Sequence, residues 1–275
     1  MKTFSQNTSS VPLKSTTQLH DLMDDVLQRA KKIGATNASV GVSLDEGFSV
    51  DVRLGAVETV AFSEDSSVGI TVYIGHAKGS ASSSDTSPEA LDRMVSAAYE
   101  IAKVSASDPC FGLPDPEPQY DLNKDLDLYH AWHIEPAQAI EQAIACEQHA
   151  RSLDPRIVNS DGMNISTYEF CVGHADTQGF MGMIHSTRHS ASCSVVAKAS
   201  DNAVMQRDYE YTIARHPGDM MAMNILAEKA VSRTVERLGA KKIKTQKIPV
   251  LFSSRLSSSL MSSFINAISG YNLYR

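Results

Sequence analysis

Phe48-Ser49-Val50-Asp51-Val52-Arg53-Leu54-Gly55 opens the stretch, running on to Ser84, whose reading decides the fold. Phe48, Val50, Val52 and Leu54 alternate with Ser49, Asp51 and Arg53, the period of two that gives a strand one buried face and one wet face. Gly55 punctuates the run. Val60 and Phe62 keep a weaker alternation, Glu64-Asp65-Ser66-Ser67 breaks it, and Ile70, Val72 and Ile74 resume it up to Gly75 and the small-residue tail from Gly79 to Ser84. The pattern predicts a meander of short antiparallel strands.

A sheet with one apolar face needs a cover, and the flanking sequence supplies helices. Upstream, Leu19, Leu22, Met23, Val26, Leu27, Ala30 and Ile33 recur at helical spacing, with Ser15, Thr16 and Thr17 available as caps and Gly34 placed to end the helix. Downstream, Ser87-Pro88-Glu89 has the form of a helix start: a serine cap, a proline where a missing N–H costs nothing, and an acid near the positive end of the dipole. Leu91, Met94, Val95, Ala98, Ile101 and Ala102 form the stripe behind it.

Asp108 to Pro118 holds four prolines at 109, 114, 116 and 118 and reads as an extended strap. Pro136, followed by Ile140, Ala143, Ile144, Ala150 and Leu153, opens a further helix. Asn159-Ser160-Asp161-Gly162 reads as a turn, Ile165 to Val172 as a strand, and Ser190 to Ser200 and Tyr209 to Ile213 as more strands of a second sheet. A long helix spans Met220 to Leu238 and stops at Gly239; its methionines admit a promiscuous peptide groove, but their spacing on a buried stripe favours core filling. After a basic connector, Lys241 to Lys247, the expectation is a buried strand at Ile248 to Phe252 and a helix at Leu256 to Ile268.

The fold class expected is therefore α+β. An amino-terminal antiparallel meander flanked by helices, with the proline strap, occupies residues 1–120, and a second, larger antiparallel-sheet domain with helices occupies 121–275. Met1 to Lys14 is polar and expected to be loose.

The formal net charge of the 275 residues is −7, which leaves no electrostatic footprint for direct nucleic-acid binding. No apolar run reaches the length of a membrane span, and Met1 to Ser10 lacks the apolar segment of a secretory signal. Cys110, Cys146, Cys171 and Cys193 form no CxxC pair, and reduced thiols in a cytoplasmic setting are expected.

Nine histidines include no HExxH pair. His185 and His189, four apart on one strand face with Asp176 nearby, form a candidate two-histidine, one-carboxylate metal site. The plainer reading is a pair of partly exposed strand histidines. His130, His133 and Glu135 form a second cluster, which beside Trp132 and Pro136 reads as packing at the start of a helix. There is no G-x-S-x-G elbow, P-loop or dinucleotide fingerprint. From the residues alone, no catalytic, cofactor-binding or metal-ligating side chain is assigned.

Several motifs in order resemble the TldD/PmbA family, in its PmbA (TldE) branch: Gly34-Ala35, Val50 to Glu58, Gly69-Ile70-Thr71-Val72-Tyr73-Ile74-Gly75, Thr177-Gln178-Gly179-Phe180, Arg237 to Lys242 leading into Ile248 to Phe252, and Ala267-Ile268-Ser269-Gly270. In the TldD branch a histidine-glutamate-histidine motif on the helix after the strand equivalent to Ile248 to Phe252 binds the catalytic zinc. Here the corresponding helix, Leu256 to Ile268, contains no histidine, acid or cysteine. The resemblance implies a subunit that carries no metal itself, pairs with a zinc-bearing TldD-type metallopeptidase subunit and acts with it on unfolded peptides. Two alternatives stand beside it: a self-sufficient metallopeptidase using the His185/His189 pair, and a non-enzymatic protein-binding modulator of DNA gyrase. Family members are longer than this chain, so it is expected to be part of a longer protein, with an incomplete second domain, apolar surface left uncovered on the Leu256 to Ile268 helix, and no peptidase activity by itself.

Overall fold

The structure, a computed structural model, describes residues 16–115, 125–200 and 203–274. The chain divides into two compact units, one ending at Gly239 and the other beginning at Ala240.

In the first unit, β1 (Asn37–Arg53) and β2 (Ala56–Ile74) form a long hairpin, and β3 (Ala77–Ser83) turns back along the second half of β2. The β1–β2 turn is Leu54-Gly55, both residues at positive φ (51° and 77°), the conformation that matches the twist of a two-residue hairpin. A glycine suits that conformation and a leucine does not, so this turn needs an external hold. Glu147 supplies it, as described below.

Strands β4 (Ile157–Asp176), β5 (Met181–Ala197) and β6 (Gln206–Ala214) continue antiparallel, and the sheet order is β3-β2-β1-β4-β5-β6. The sequence reading separates a meander from a second, larger sheet; the structure joins their strands into a single α+β sheet. β1 begins at Asn37 rather than Phe48, and its whole second edge pairs with β4 from Ser39↔Asp176 to Val52↔Met163. Glu64 to Ser67 does not interrupt β2, because Asp45↔Asp65 and Glu46↔Glu64 pairing carries the backbone through. Nor is Asn159 to Gly162 a turn. It lies within β4, where two register shifts against β5 absorb extra residues as bulges and Gly162 takes φ 114°.

The helices cover one face of the sheet. On that face β1 presents Ala38, Val40 and Val42, then Phe48, Val50 and Val52, which fall into two separate cores. The first core lies under α1 (Thr16–Ile33) and α2 (Pro88–Val104) and includes Val68, Ile70 and Val72 of β2. The second lies under α3 (Pro136–Ser152) and α4 (Met223–Glu236) and includes Met163, Ile165, Ala191, Cys193 and Val195. Each fully buried aliphatic side chain contributes about 1.5–3 kcal/mol. Between the two patches, residues 44–47 of β1 are only half buried.

The caps agree with the sequence. The Ala90 N–H donates to Ser87 Oγ (3.4 Å) with Pro88 at the first helical position, and Gly34 (φ 101°) ends α1 while the Ala35 N–H returns to Ala30 O. α2 comes so close to β3 that a Cβ on Gly79 would lie 2.1 Å from Ala98 O, so only glycine admits the helix there. The chain from Met220 to Leu238 is helical only over Met223–Glu236, after a short 3-10 turn at Pro217–Asp219; Met220 and Met221 still pack on the second core.

Asp108 to Phe111 forms a turn rather than an extended strap: the Phe111 N–H donates to Asp108 O and the Asp108 N–H to His76 O. The remainder of the expected strap, Pro116 to Pro118, lies outside the described residues, as do the expected loose segment Met1 to Lys14 and the cap Ser15.

In the second unit, Ile248 to Phe252 forms no strand, and Val250, Leu251 and Phe252 are exposed, contrary to the buried strand expected. Apolar residues alone do not make a strand; its backbone groups need a partner, and none of the described strands pairs with this segment. α5 (Ser254–Ala267) forms as expected and is followed by α6 (Gly270–Tyr274). Leu256, Leu260, Phe264 and Ile268 are exposed.

Candidate functional site

The half-buried waist of β1 gathers the polar groups of the helix-covered face. Glu46 pairs with Glu64 of β2 on one side and Glu169 of β4 on the other, so three carboxylates stand in one row across three strands, and Thr187 of β5 extends the row. The adjacent row is Ser66, Leu44, Cys171 and His185.

The segment before α3 crosses the far end of these rows. The Thr187 N–H donates to Leu128 O (3.0 Å), the His130 N–H donates to Thr187 Oγ1 (3.0 Å), and the Tyr129 hydroxyl donates to Glu169 Oε2 (2.5 Å). Burial, the bond to Glu169 and the charges of Glu169 and Glu46 push the Tyr129 phenol up to about 12, so it remains a hydrogen-bond donor at neutral pH. Burial, then repulsion from Glu64 and Glu169, raises the Glu46 carboxyl above its ordinary value. His185 lies edge-on to Tyr129, with ring centroids 6.4 Å apart, and its Nε2 is 3.8 Å from Cys171 Sγ. Chemically the row is a strip of three carboxylates, with the Tyr129 hydroxyl donating to one of them and the Thr187 hydroxyl at its end donating to Arg215 O.

His189 is fully buried and both ring nitrogens are engaged. The Nε2–H donates to His130 O (2.8 Å), since a carbonyl can only accept, and Nδ1 is hydrogen-bonded with the Thr167 hydroxyl (2.8 Å). Trp132 packs edge-on at 5.5 Å. His185 and His189 do share a face, as the spacing predicts. Four residues of extended strand nevertheless separate their Cα atoms by about 13 Å, too far for two imidazoles to hold one ion at about 2 Å each. Asp176 sits at the end of β4 and accepts from the Gln178 and Phe180 N–H groups (2.8 and 3.2 Å). The structure therefore does not assemble the His185, His189, Asp176 site. Among the described residues no group of three or more His, Cys, Asp or Glu side chains is placed to hold a metal.

Of His130, His133 and Glu135, only Glu135 is seen to order the start of α3. Glu135 is its N-cap and its N–H donates to Gln138 Oε1 (3.0 Å). His130 packs edge-on against His216, His133 is exposed, and Trp132 rests on the second core. On α5, where the family resemblance would place a zinc motif, the side chains run Ser-Arg-Leu-Ser-Ser-Ser-Leu-Met-Ser-Ser-Phe-Ile-Asn-Ala. That donor set does not fit zinc, which takes imidazole, thiolate or carboxylate.

Two sets of residues were not singled out by sequence reading. Glu46 and Glu169 sit at helix-facing positions of otherwise apolar-alternating strands, and Glu147 sits among Ala143, Cys146 and Ala150 on the buried face of α3. An acid at a core position is the signal in each case. Glu147 is fully buried, and its two oxygens accept from the N–H groups of Leu54 (2.8 Å) and Gly55 (2.7 Å). It is a structural clamp on the positive-φ turn.

Comparison with known sequences and structures places these features. The sequence model of PmbA/TldA metallopeptidase domain 1 matches residues 38–102, and that of the PmbA/TldA metallopeptidase central domain matches residues 129–238. Metalloprotease PmbA of Escherichia coli O157:H7 is 40% identical over 238 residues, covering 86% of this chain and 52% of the relative. A metalloprotease PmbA homolog of Haemophilus influenzae is 35% identical over 270 residues, covering 98% of this chain and 59% of the relative. The chain thus spans between half and three-fifths of the length of these relatives. A crystal structure of a protein named as a modulator of DNA gyrase, from Bacteroides thetaiotaomicron, shares the fold with TM-score 0.84 at 24% identity, over 94% of this chain and 59% of that one. TldE from Thermococcus kodakarensis superposes with TM-score 0.60 at 16% identity, over 78% of this chain and 47% of that one.

Proposed function

The chain belongs to the PmbA/TldD metallopeptidase family, and from that premise we propose that it is the PmbA/TldE-like, non-metal subunit of a heteromeric zinc metallopeptidase acting on unfolded peptides in the cytoplasm. The observation that carries the reading is α5: the helix forms, yet Ser254–Ala267 contains no residue able to ligate zinc or serve as a carboxylate base. In this reading the zinc belongs to a TldD-type partner, and this chain contributes a wall and orienting surface. The reading includes neither a membrane nor a nucleic acid as partner, and two observations support it: no helix among the described residues is long and apolar enough to cross a membrane, and the net charge is −7.

The test mixes the protein with a TldD-type partner and follows cleavage of an unstructured peptide with and without chelator. Cleavage by the mixture alone, abolished by chelator, with zinc travelling with the partner on separation, is the expected result. Zinc bound stoichiometrically by this chain, or cleavage by this chain unaided, would defeat the proposal.

A further inference from the structure

Along residues 56–67 the outer edge of β2 has no strand against it among the described residues. β1 occupies the inner edge throughout, whereas β3 reaches only from Val68 to Ile74. An open edge presents a row of unpaired backbone donors and acceptors about 40 Å long, a template for a further strand.

The side chains say which strand it would accept. Val60 and Phe62 stand in register with the buried Val50 and Phe48, the Phe48 and Phe62 rings 6.0 Å apart, yet they are 36% and 67% exposed. Between residues 43 and 67 the acids are Asp45, Glu46, Asp51, Glu58, Glu64 and Asp65, and the only basic side chain is Arg53. A second copy pairing antiparallel with Val60 opposite Phe62 would set Glu58 against Glu64 at both ends of the contact, which destabilises cross-strand pairing. A strand bearing cations removes that repulsion.

We propose that the residue 56–67 edge of β2 docks an extended, lysine- or arginine-bearing segment of another protein as an added strand. Its apolar side chains continue the row of Val60 and Phe62, cations flanking them on the same face meet Glu58 and Glu64, and a cation on the other face meets Asp65. Backbone pairing provides the hold and charge the selectivity. The assignment is independent of the peptidase reading.

The experiment uses a fluorescent probe of about ten residues, threonine at alternate positions and lysine, valine, valine, lysine in order at the positions between them, titrated with the full chain by anisotropy. Three comparisons accompany it: the same probe N-methylated at alternate residues, a glutamate-valine probe, and the protein variant Glu64→Lys/Asp65→Lys. Hydrogen exchange locates the bound probe. Expected are binding of the lysine probe, loss of at least about tenfold in affinity on N-methylation, preference for the acidic probe in the variant, and slowed exchange confined to residues 56–67 and the strand beside them. Equal binding of the N-methylated probe would show charge attraction without strand pairing and overturn the proposal. So would unchanged preference in the variant, protection on another strand, or protection of 56–67 by self-association alone.

Discussion

Val68, Ile70 and Val72 in the second half of β2 are essentially buried, Ile70 at 2% exposure, while Val60 and Phe62 in the first half keep the same register against β1 and are 36% and 67% exposed. Both halves alternate, and both present their apolar residues to the helix-covered face. What differs is the cover: α2 and β3 lie over the second half, and neither reaches the first. Burial is therefore a property of neighbours and not of the alternation itself.

The largest expected effect tests the covered half. Ile70→Ala should lower unfolding free energy by about 3 kcal/mol, measured from urea midpoints at constant slope. A cost equal to that of truncating Phe62 would break the comparison.

Next comes the clamp that holds the hairpin at the end of the uncovered half. Glu147→Ala leaves the Leu54 and Gly55 N–H groups without their acceptors and should cost about 2 kcal/mol. Glu147→Gln keeps one acceptor and should cost less. Indistinguishable midpoints for the alanine and glutamine variants would show that the carboxylate is not what holds the turn.

Glu46 sharpens the contrast from the waist between the halves. Its folded carboxyl is raised, so the folded chain holds that proton more tightly than the unfolded chain, and the associated stability is full below the ordinary glutamate range and lost as pH rises through the raised value. Glu46→Gln, which mimics the protonated form, should stabilise the protein at pH 7 by about 0.5 kcal/mol after solvent screening and have no effect near pH 3. A gain that grows on acidification would reverse the assignment.

The smallest effect belongs to Phe62→Ala, expected to change stability by less than about 0.5 kcal/mol because little of the ring leaves water on folding. A loss above about 1.5 kcal/mol would mean the first half of β2 is covered after all.

Much of the fold was legible locally. The Ser87-Pro88 helix start, the Gly34 stop, the Pro136 helix and the strand over Ile165 to Val172 all follow from backbone propensities and nearest-neighbour capping. The errors share one cause. Ala38, Val40 and Val42 alternate across Ser39, Gly41 and Ser43, but those weakly β-forming residues make a strand only because β2 and β4 flank them. Glu64 to Ser67 and Asn159 to Gly162 look like breaks, yet ladder pairing and bulges carry the chain through both. Ile248 to Phe252 has the composition of a strand and no strand to pair with among the described residues. The His185, His189, Asp176 site looked plausible because period-two reasoning reports the face and not the distance along it.

By itself, the sequence determined the α+β class, the helix starts and stops, the family and the absence of zinc-ligating side chains on α5, because each depends on residue identity or on contacts within one turn of chain. Only the tertiary structure decided that one sheet runs through both regions, that Glu147 holds the Leu54-Gly55 turn, that three carboxylates from β2, β1 and β4 share a row, and that half of β2 is left open among the described residues. Those features arise where strands distant in sequence pair, and the free energy of that pairing lies in backbone and side-chain partners that no single stretch contains.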